Sequence, residues 1–323
     1  MSIVFRGITV ADKAAITSFT MKSPFQNCDF SFANMCSWRF LYKSEYAIAG
    51  HFLLIRFRIE GNERPVYMCP VGEGDITHAI SLIEEDSLRY GHPLWILGVT
   101  PEGKKQLEEA FPGGFRFIND RDYYDYIYLK DDLIRLSGKK YQSKRNHINK
   151  FVKQYRYEYR PITPELVSEC LTLECKWYKA NRTDDDEEEL SYERRSLTFA
   201  LQHATELGLM GGAICVDGQI VAFSFGAPIN NNTFGVHVEK GDISYDGVYS
   251  VMNYEFALHI PDQYLYVNRE EDLGIPGLRQ AKQSYRPAIL LEKNTAIKKL
   301  KTNMNNERQP TNSSFVLYQD DNA

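Results

Sequence analysis

Nowhere does the sequence hold an apolar run near the roughly 20 residues that span a bilayer; its best, such as Phe52 to Ile55, are strand-length. The opening stretch MSIVFRGITVADKAAITSF carries Arg6, Asp12 and Lys13 and lacks the apolar core of a secretion signal, so it reads as mature, folded protein. There is no CxxC pair and no histidine at zinc-finger spacing. The six cysteines (Cys28, Cys36, Cys69, Cys170, Cys175, Cys215) are scattered and read as buried free thiols in a reducing cytoplasm, with neither metal nor disulfide expected. Absence of GxSxG, Walker A, HExxH and dinucleotide fingerprints sets aside serine hydrolases, NTPases, zincins and dehydrogenases. Basic excess is missing too: 43 acids stand against 38 bases, a net charge of −5, so any anion site must be local.

What is present fits two domains. A chain of 323 residues, 43% apolar, can build two cores of about 150 residues each. Residues 1–130 alternate helix-like and strand-like patterns, which implies a mixed α/β module. HFLLIRFRIE at 51–60 puts Leu53, Ile55, Phe57 and Ile59 on one face and Arg56 and Arg58 on the other, a strand with one wet face, turning at 60–62 toward Val66–Cys69. A helix over 75–90, a strand over 94–99, a helix over 101–110 and a strand over 124–129 follow. RDYYDYIYL at 121–129 resembles an aromatic cleft lining, although tyrosines suit ordinary strands equally.

The second half, 131–302, repeats this grammar. Helices are expected at 140–155, 163–180 and 190–207, then strands at 210–216, 220–228 and 233–239, with Asp217-Gly218 forming a hairpin turn. A helix over 248–259, a strand over 264–267 and a closing strand over 287–291 complete it. This is the order of an acetyltransferase-like (GNAT) module, and the first half reads as a degenerate copy. The acidic run DDDEEE at 184–189 is expected to be a solvated loop, and the polar residues 303–323 a mobile tail.

Residues 138–156, GKKYQSKRNHINKFVKQYR, hold Lys139, Lys140, Lys144, Arg145, Lys150, Lys153 and Arg156 with no acid. On a helix Ile148, Phe151, Val152 and Tyr155 would dock inward, while Lys139, Ser143, Asn146, Lys150 and Lys153 share a stripe facing a polyanion or solvent. The interleaved Ser143, Asn146, His147 and Asn149 gain nothing on a merely soluble face but suit phosphate or sugar contacts.

Directly after the strand at 264–267 come Asn268, Arg269, Glu270, Glu271 and Asp272, then Gly274-Ile-Pro-Gly277. Sites in α/β proteins gather at such strand ends. The three acids can supply a general base or anchor an ammonium group; Arg269, Arg279 and Lys282 can hold phosphate or stabilise charge on a reacting carbonyl. The alternative is a loop whose carboxylates cap the following helix and pair with Arg279 or Arg286. His237 and His147 are the best-placed imidazoles, with a structural role as the plainer account of each.

At KKYQSKRNHINKF (139–151) and NREEDLGIPGLRQAKQSYRP (268–287), supported by DFSFANMCSWR (29–39) and EKGDISYDGVYSVMNYEF (239–256), the chain resembles the family named for the C-terminal domain of bacterial phosphatidylglycerol lysyltransferase. The resemblance implies two tandem GNAT-like modules, related to the Fem-type transferases that use aminoacyl-tRNA. It implies transfer of an aminoacyl group from a charged tRNA to an amine or hydroxyl: a basic stripe would hold the tRNA, and one of Glu270, Glu271 and Asp272 would serve as base or ammonium anchor. Those relatives carry a membrane-embedded region ahead of this domain, whereas this sequence offers only peripheral membrane contact.

Two other functions fit the residues. One is an acetyl-CoA-dependent N-acetyltransferase whose phosphate loop is a variant at Gly241–Gly247, the helix starting near Gly247 offering free N–H groups; the spacing differs from the usual Q/RxxGxG/A. The other is a catalytically silent module binding RNA or anionic lipid headgroups through Lys139–Lys153.

Overall fold

A computed structural model describes residues 3–59, 64–181 and 187–300. The expected turn at 60–62, the first half of the acidic run and the polar tail lie outside the described residues.

In chain order the strands are β1 (Arg6–Gly7), β2 (Glu45–Ala49), β3 (Phe52–Arg58), β4 (Pro65–Met68), β5 (Val71–Gly72), β6 (Trp95–Val99), β7 (Phe115–Asn119), β8 (Asp125–Leu129), β9 (Tyr157–Pro161), β10 (Met210–Val216), β11 (Gln219–Pro228), β12 (Thr233–Gly241), β13 (Tyr266–Asn268), β14 (Ile289–Leu291) and β15 (Asn294–Lys298). The helices are α1 (Lys13–Thr20), α2 (Phe32–Ser37), α3 (Arg39–Tyr42), α4 (Ile76–Arg89), α5 (Pro101–Ala110), α6 (Lys130–Arg135), α7 (Gln142–Gln154), α8 (Val167–Asn181), α9 (Glu187–Gln202), α10 (Ala204–Leu207), α11 (Val248–His259) and α12 (Pro276–Gln283).

Local chemistry explains many boundaries. Asp75 caps α4 by accepting from the Thr77 amide at 2.8 Å, and Thr100 caps α5 with Pro101 at its first position. Asp217 and Gly218 take φ of 49° and 79°, the pair of positive values that a two-residue hairpin between β10 and β11 needs.

Two sheets repeat one plan. In the first, β2, β3 and β4 are antiparallel and β4 then runs parallel to β6, with α4 in the connection. In the second, β10, β11 and β12 are antiparallel and β12 runs parallel to β13, with α11 in the connection. Each sheet is then completed by a strand from the other half. β15 enters the first sheet between β6 and β7, and β8 enters the second between β13 and β14. Thus β7 and β8, neighbours in sequence, part to different sheets, as do β14 and β15.

Two expectations change here. A boundary after residue 130 counts 125–129 with the first half, but its hydrogen bonds are to the second sheet. The strand at 289–291 is not the last: β15 follows, its two buried apolar residues Ala296 and Ile297 too few to show a period among Lys293, Asn294 and Lys298.

One core lies around the first sheet and takes in Cys170 and Leu173 of α8 and Leu197 and Leu201 of α9, so helices of the second half cover it as well. The other lies between the second sheet and α7 and α11. Arg56 overturns the expected wet face of β3. It is buried, pairs with Asp86 of α4 at 2.7 Å and Glu45 at 2.8 Å, and lies over the Phe5 ring. Two carboxylates neutralise a charge that burial alone would penalise. The Glu187–Glu189 end of the acidic run opens α9 and is exposed.

Candidate functional site

β13 ends at Asn268, and the chain then turns sharply through 269–275 before α12. Glu270 sits at φ 59° and Leu273 at 50°, left-handed conformations that cost a non-glycine residue on the order of 1 kcal/mol. The buried side chain of Asn268 holds the turn. Its Oδ1 accepts from the Glu270 amide at 2.7 Å, and its Nδ2 donates to Asp125 Oδ2 at 2.7 Å and to the Gln26 carbonyl at 2.8 Å. Lys282 donates its ammonium to the carbonyl oxygens of Arg269 and Glu271, clamping the loop from α12.

The three consecutive acids diverge. Asp272 is fully buried and accepts two hydrogen bonds from Arg279 (2.7 and 2.9 Å), one from the Tyr126 hydroxyl at 2.5 Å, one from Arg121 at 3.2 Å and one from the Gly274 amide at 3.0 Å. Burial opposes its charge, but the hydrogen bonds from Arg279 and Tyr126 win and hold it well below the usual carboxylate range. For Asp272 the pairing alternative holds. Arg279, also bound to Asp122 at 2.5 Å, is spent on this staple rather than left for phosphate.

Glu271 faces the seam between the halves. Lys293, in the short link between β14 and β15, places its ammonium 2.9 Å from Glu271, 2.9 Å from Asp125 and 3.2 Å from Asp29. Burial opposes ionisation of Glu271, yet the Lys293 charge holds its carboxyl below the usual value. Burial pushes Asp125 up, against the pull of Lys293. Cys28 completes the group, its Sγ 3.3 Å from Glu271 and its amide donating to Asp125 at 2.7 Å. Burial and the neighbouring carboxylates push its thiol up, against thiolate formation. Cys28, Asp29 and Glu271 lie close enough to share a metal ion, but the Lys293 ammonium already stands among them as the cation.

Glu270 differs from both. Its Oε1 accepts from Asn34 Nδ2 at 2.7 Å and lies 2.9 Å from Nδ1 of His237, whose Nε2 is 2.9 Å from the Ser31 hydroxyl. Ser31 and Asn34 belong to the first half, at the start of α2, and His237 to β12. The Glu270 side chain is 24% exposed while His237 is 5% exposed, so a carboxylate edge meets solvent with a buried imidazole behind it.

The basic helix divides in two. Lys144 turns inward, its ammonium 4.0 Å from the centre of the Tyr285 ring, which also carries Arg269 at 5.2 Å on its way to Glu239. Burial and the nearby Arg269 push Lys144 down to about 8. The two long motifs thus meet at Tyr285. Arg145 caps its own segment by donating to the carbonyls of Leu136 and Gly138. Lys139, Lys140, Ser143, Asn146 and Asn149 stay exposed. Val152, expected to dock inward, is 50% exposed; Ile148, Phe151 and Tyr155 make the contact instead. Gly247, expected to open an anion-binding helix end, lies beneath α7: a Cβ there would stand 2.7 Å from the His147 carbonyl oxygen. Lys150 closes the same corner on Asp246 at 2.5 Å.

These motifs run through nearly the whole chain, and residues 20–297 match the family described as phosphatidylglycerol lysyltransferase, C-terminal. The chain belongs to that family. A conserved protein of unknown function from Bacteroides thetaiotaomicron VPI-5482 is 52% identical and superposes over 92% of this chain and 100% of its own, with a TM-score of 0.89. L-PGS from Bacillus licheniformis (15% identical, 90% of this chain and 93% of its own, TM-score 0.62) and FemX (10% identical, 91% and 97%, TM-score 0.54) share the fold. The two sheets are tandem GNAT-like modules. An uncharacterized protein of Mycoplasmoides gallisepticum is 25% identical over 172 residues, 52% of this chain; the chain spans about half of that relative, 54% of its length. No helix among the described residues is long and apolar enough to cross a membrane.

Several members of the site escaped the sequence reading. Asp125 and Lys293 sit in strands or links that give no motif, and only the strand exchange brings them together. Ser31 and Asn34 lay within a segment noted for its resemblance, without roles. Tyr126 and Tyr128 are not a cleft lining: both rings are buried, and their hydroxyls reach Asp272 and the Lys282 carbonyl, holding the loop from below.

Proposed function

We propose that the protein transfers an aminoacyl group from a charged tRNA, or another activated acyl donor, to an amine or hydroxyl, with Glu270 as the base. One observation carries this: of the three acids, Glu270 is the one backed by an imidazole and an amide rather than by a lysine or arginine, with an edge open to solvent. The acceptor nitrogen or oxygen gives its proton to Glu270 and bonds to the acyl carbon. The ester bond of the donor breaks, and the proton passes to the departing ribose oxygen. His237, seated between Ser31 and Glu270, and Asn34 position the carboxylate. Glu271, fixed by Lys293, sets the negative field that favours an incoming ammonium. Asn268 and Lys282 hold the loop, and Asp272 and Arg279 staple it.

The donor is assigned to the α7 surface. Lys139 and Lys140 just ahead of α7, and Ser143, Asn146 and Asn149 on it, face outward, and Lys144 of the same helix reaches Tyr285 of the other long motif, so a polyanion lying there would be gripped beside that motif. The close packing of α7 on Gly247 supports this donor over acetyl-CoA, which would need that helix end. The acceptor fits a soluble amine or a headgroup at a membrane surface.

The test supplies tRNA charged with a labelled aminoacyl group, acetyl-CoA in parallel, and as acceptors a free amine or vesicles containing phosphatidylglycerol. Label is expected in an acceptor with wild type and not with Glu270→Gln, and the Lys139→Ala/Lys144→Ala pair is expected to need more tRNA. Acetyl transfer without aminoacyl transfer overturns the proposal. So does salt-sensitive tRNA binding with no transfer to any acceptor, which would leave a silent RNA-binding module.

A further inference from the structure

A second site lies away from the loop, at the other end of α2. Between α2–α3, the start of β2 and α9 is an open cavity of about 510 Å³, within the range of small-ligand sites. Its wall includes Arg39, Phe40, Arg195 and Phe199, with the hydroxyl-bearing Ser37 and Ser44. Each arginine lies over an aromatic ring from the opposite side: Arg39 over Phe199 at 4.0 Å and Arg195 over Phe40 at 4.1 Å. Such a cation–π contact holds a guanidinium in place without using its N–H groups, which stay available as donors.

Neither arginine is paired with a carboxylate among the described residues. Arg39 spends one nitrogen on the Cys36 carbonyl at 2.5 Å; Arg195 has no hydrogen-bond acceptor among them. Glu45, the acid in the wall, is taken by Arg56 at 2.8 Å and Arg58 at 3.4 Å. Two guanidinium groups held over rings without a counter-anion, with the Ser44 hydroxyl beside them while that of Ser37 donates to the Asn34 carbonyl at 3.4 Å, match a phosphate, whose oxygens accept bidentate pairs.

We propose that this cavity binds a phosphate-bearing small molecule or headgroup, gripped between Arg39 and Arg195. The aminoacyl-transfer reading neither requires nor uses this site. The occupant is a phosphate monoester or diester, and its uncharged part lies along Phe40 and Phe199.

Calorimetric titration of the full chain with glycerol 3-phosphate, inorganic phosphate and glycerol, beside flotation with vesicles of anionic or zwitterionic phospholipid, tests it. Glycerol 3-phosphate is expected to bind and glycerol not. Arg39→Gln and Arg195→Gln each weaken binding tenfold or more, and Arg195→Lys falls between, because the fork is lost while the charge stays. Lys105→Ala, on the exposed face of α5, serves as the charge control and leaves binding unchanged. Anionic-vesicle flotation that depends on both arginines, without binding of the soluble phosphates, names a lipid headgroup as the source. Thermal melts identify variants that fail to fold, and for those the Arg→Lys series decides. Equal binding of glycerol, arginine variants that bind like wild type, an equal loss in the Lys105 variant, or no binding by any phosphate overturns the proposal.

Discussion

Glu270 and Asp272 stand two residues apart in one loop, with the same charge and the same strand end behind them, yet their surroundings assign opposite work. Asp272 has two arginines, a tyrosine and a backbone amide around a fully buried carboxylate. Glu270 has an asparagine and a histidine and keeps an edge in water. A carboxylate ringed by cations stays ionised and gives up its lone pairs; it makes structure. One held by an amide and an imidazole on one oxygen, with an edge in water, keeps a lone pair to take a proton. The difference is set by which groups the fold delivers, not by the acids themselves.

The sharpest way to break this contrast is to neutralise each acid in turn. Glu270→Gln is expected to slow transfer 100-fold or more, the scale of a lost general base, while its melting temperature stays within a few degrees of wild type. Comparable rates in a labelled aminoacyl-transfer assay would remove Glu270 from the chemistry. Asp272→Asn is expected to act through stability, costing about 2–3 kcal/mol; this is below the usual cost of breaking a buried pair because water reaches Arg279 and Arg121. Chemical denaturation with rate measured on the folded fraction separates the two effects. Its pH dependence has a definite sign. The Asp272 carboxyl is depressed in the folded state, so its contribution is present above the ordinary carboxylate value of about 3.9 and is lost as pH falls through the folded value. The gap between wild type and Asp272→Asn should therefore close in acid.

A smaller effect extends the comparison to the basic helix. Lys144 is pushed down to about 8, so its charge fades as pH rises through 8 and affinity for a polyanion should fall severalfold there. Lys144→Arg should flatten that profile in a binding titration run from pH 7 to 9; an unchanged slope would detach Lys144 from the donor. Lys150 gives the smallest effect. Its pair with Asp246 is open to water, so Lys150→Ala should leave the melting temperature unchanged within measurement.

Much of the fold was legible because its signals are local. Asp217-Gly218 and the Thr100-Pro101 cap each specify an element within a few residues. The two motifs at 139–151 and 268–287 also led to the right neighbourhood, and they meet at Tyr285. What sequence could not convey was long-range pairing. Whether Arg56 is wet or buried depends on Asp86, thirty residues on. Asp125 and Lys293 become partners only because two strands change sheets, and nothing in DYIYL or NTAIK states which sheet each will join. Among three adjacent acids, only their distant partners rank the candidates.

The exchange of β8 and β15 also bears on how the protein is made. The gap between β6 and β7 is filled by residues 294–298, so the sheet begun first is finished by the strand that leaves the ribosome last among those described. At 5–20 residues per second, on the order of ten to thirty seconds pass between synthesis of β7 and of its partner. Throughout that interval the nascent first module carries two unsatisfied strand edges, open to neighbouring chains, whereas the second already has β8 waiting for it. Chaperone demand during translation should fall on the N-terminal half, and a nascent chain released before residue 294 would be left with one sheet closed and the other seeking a strand.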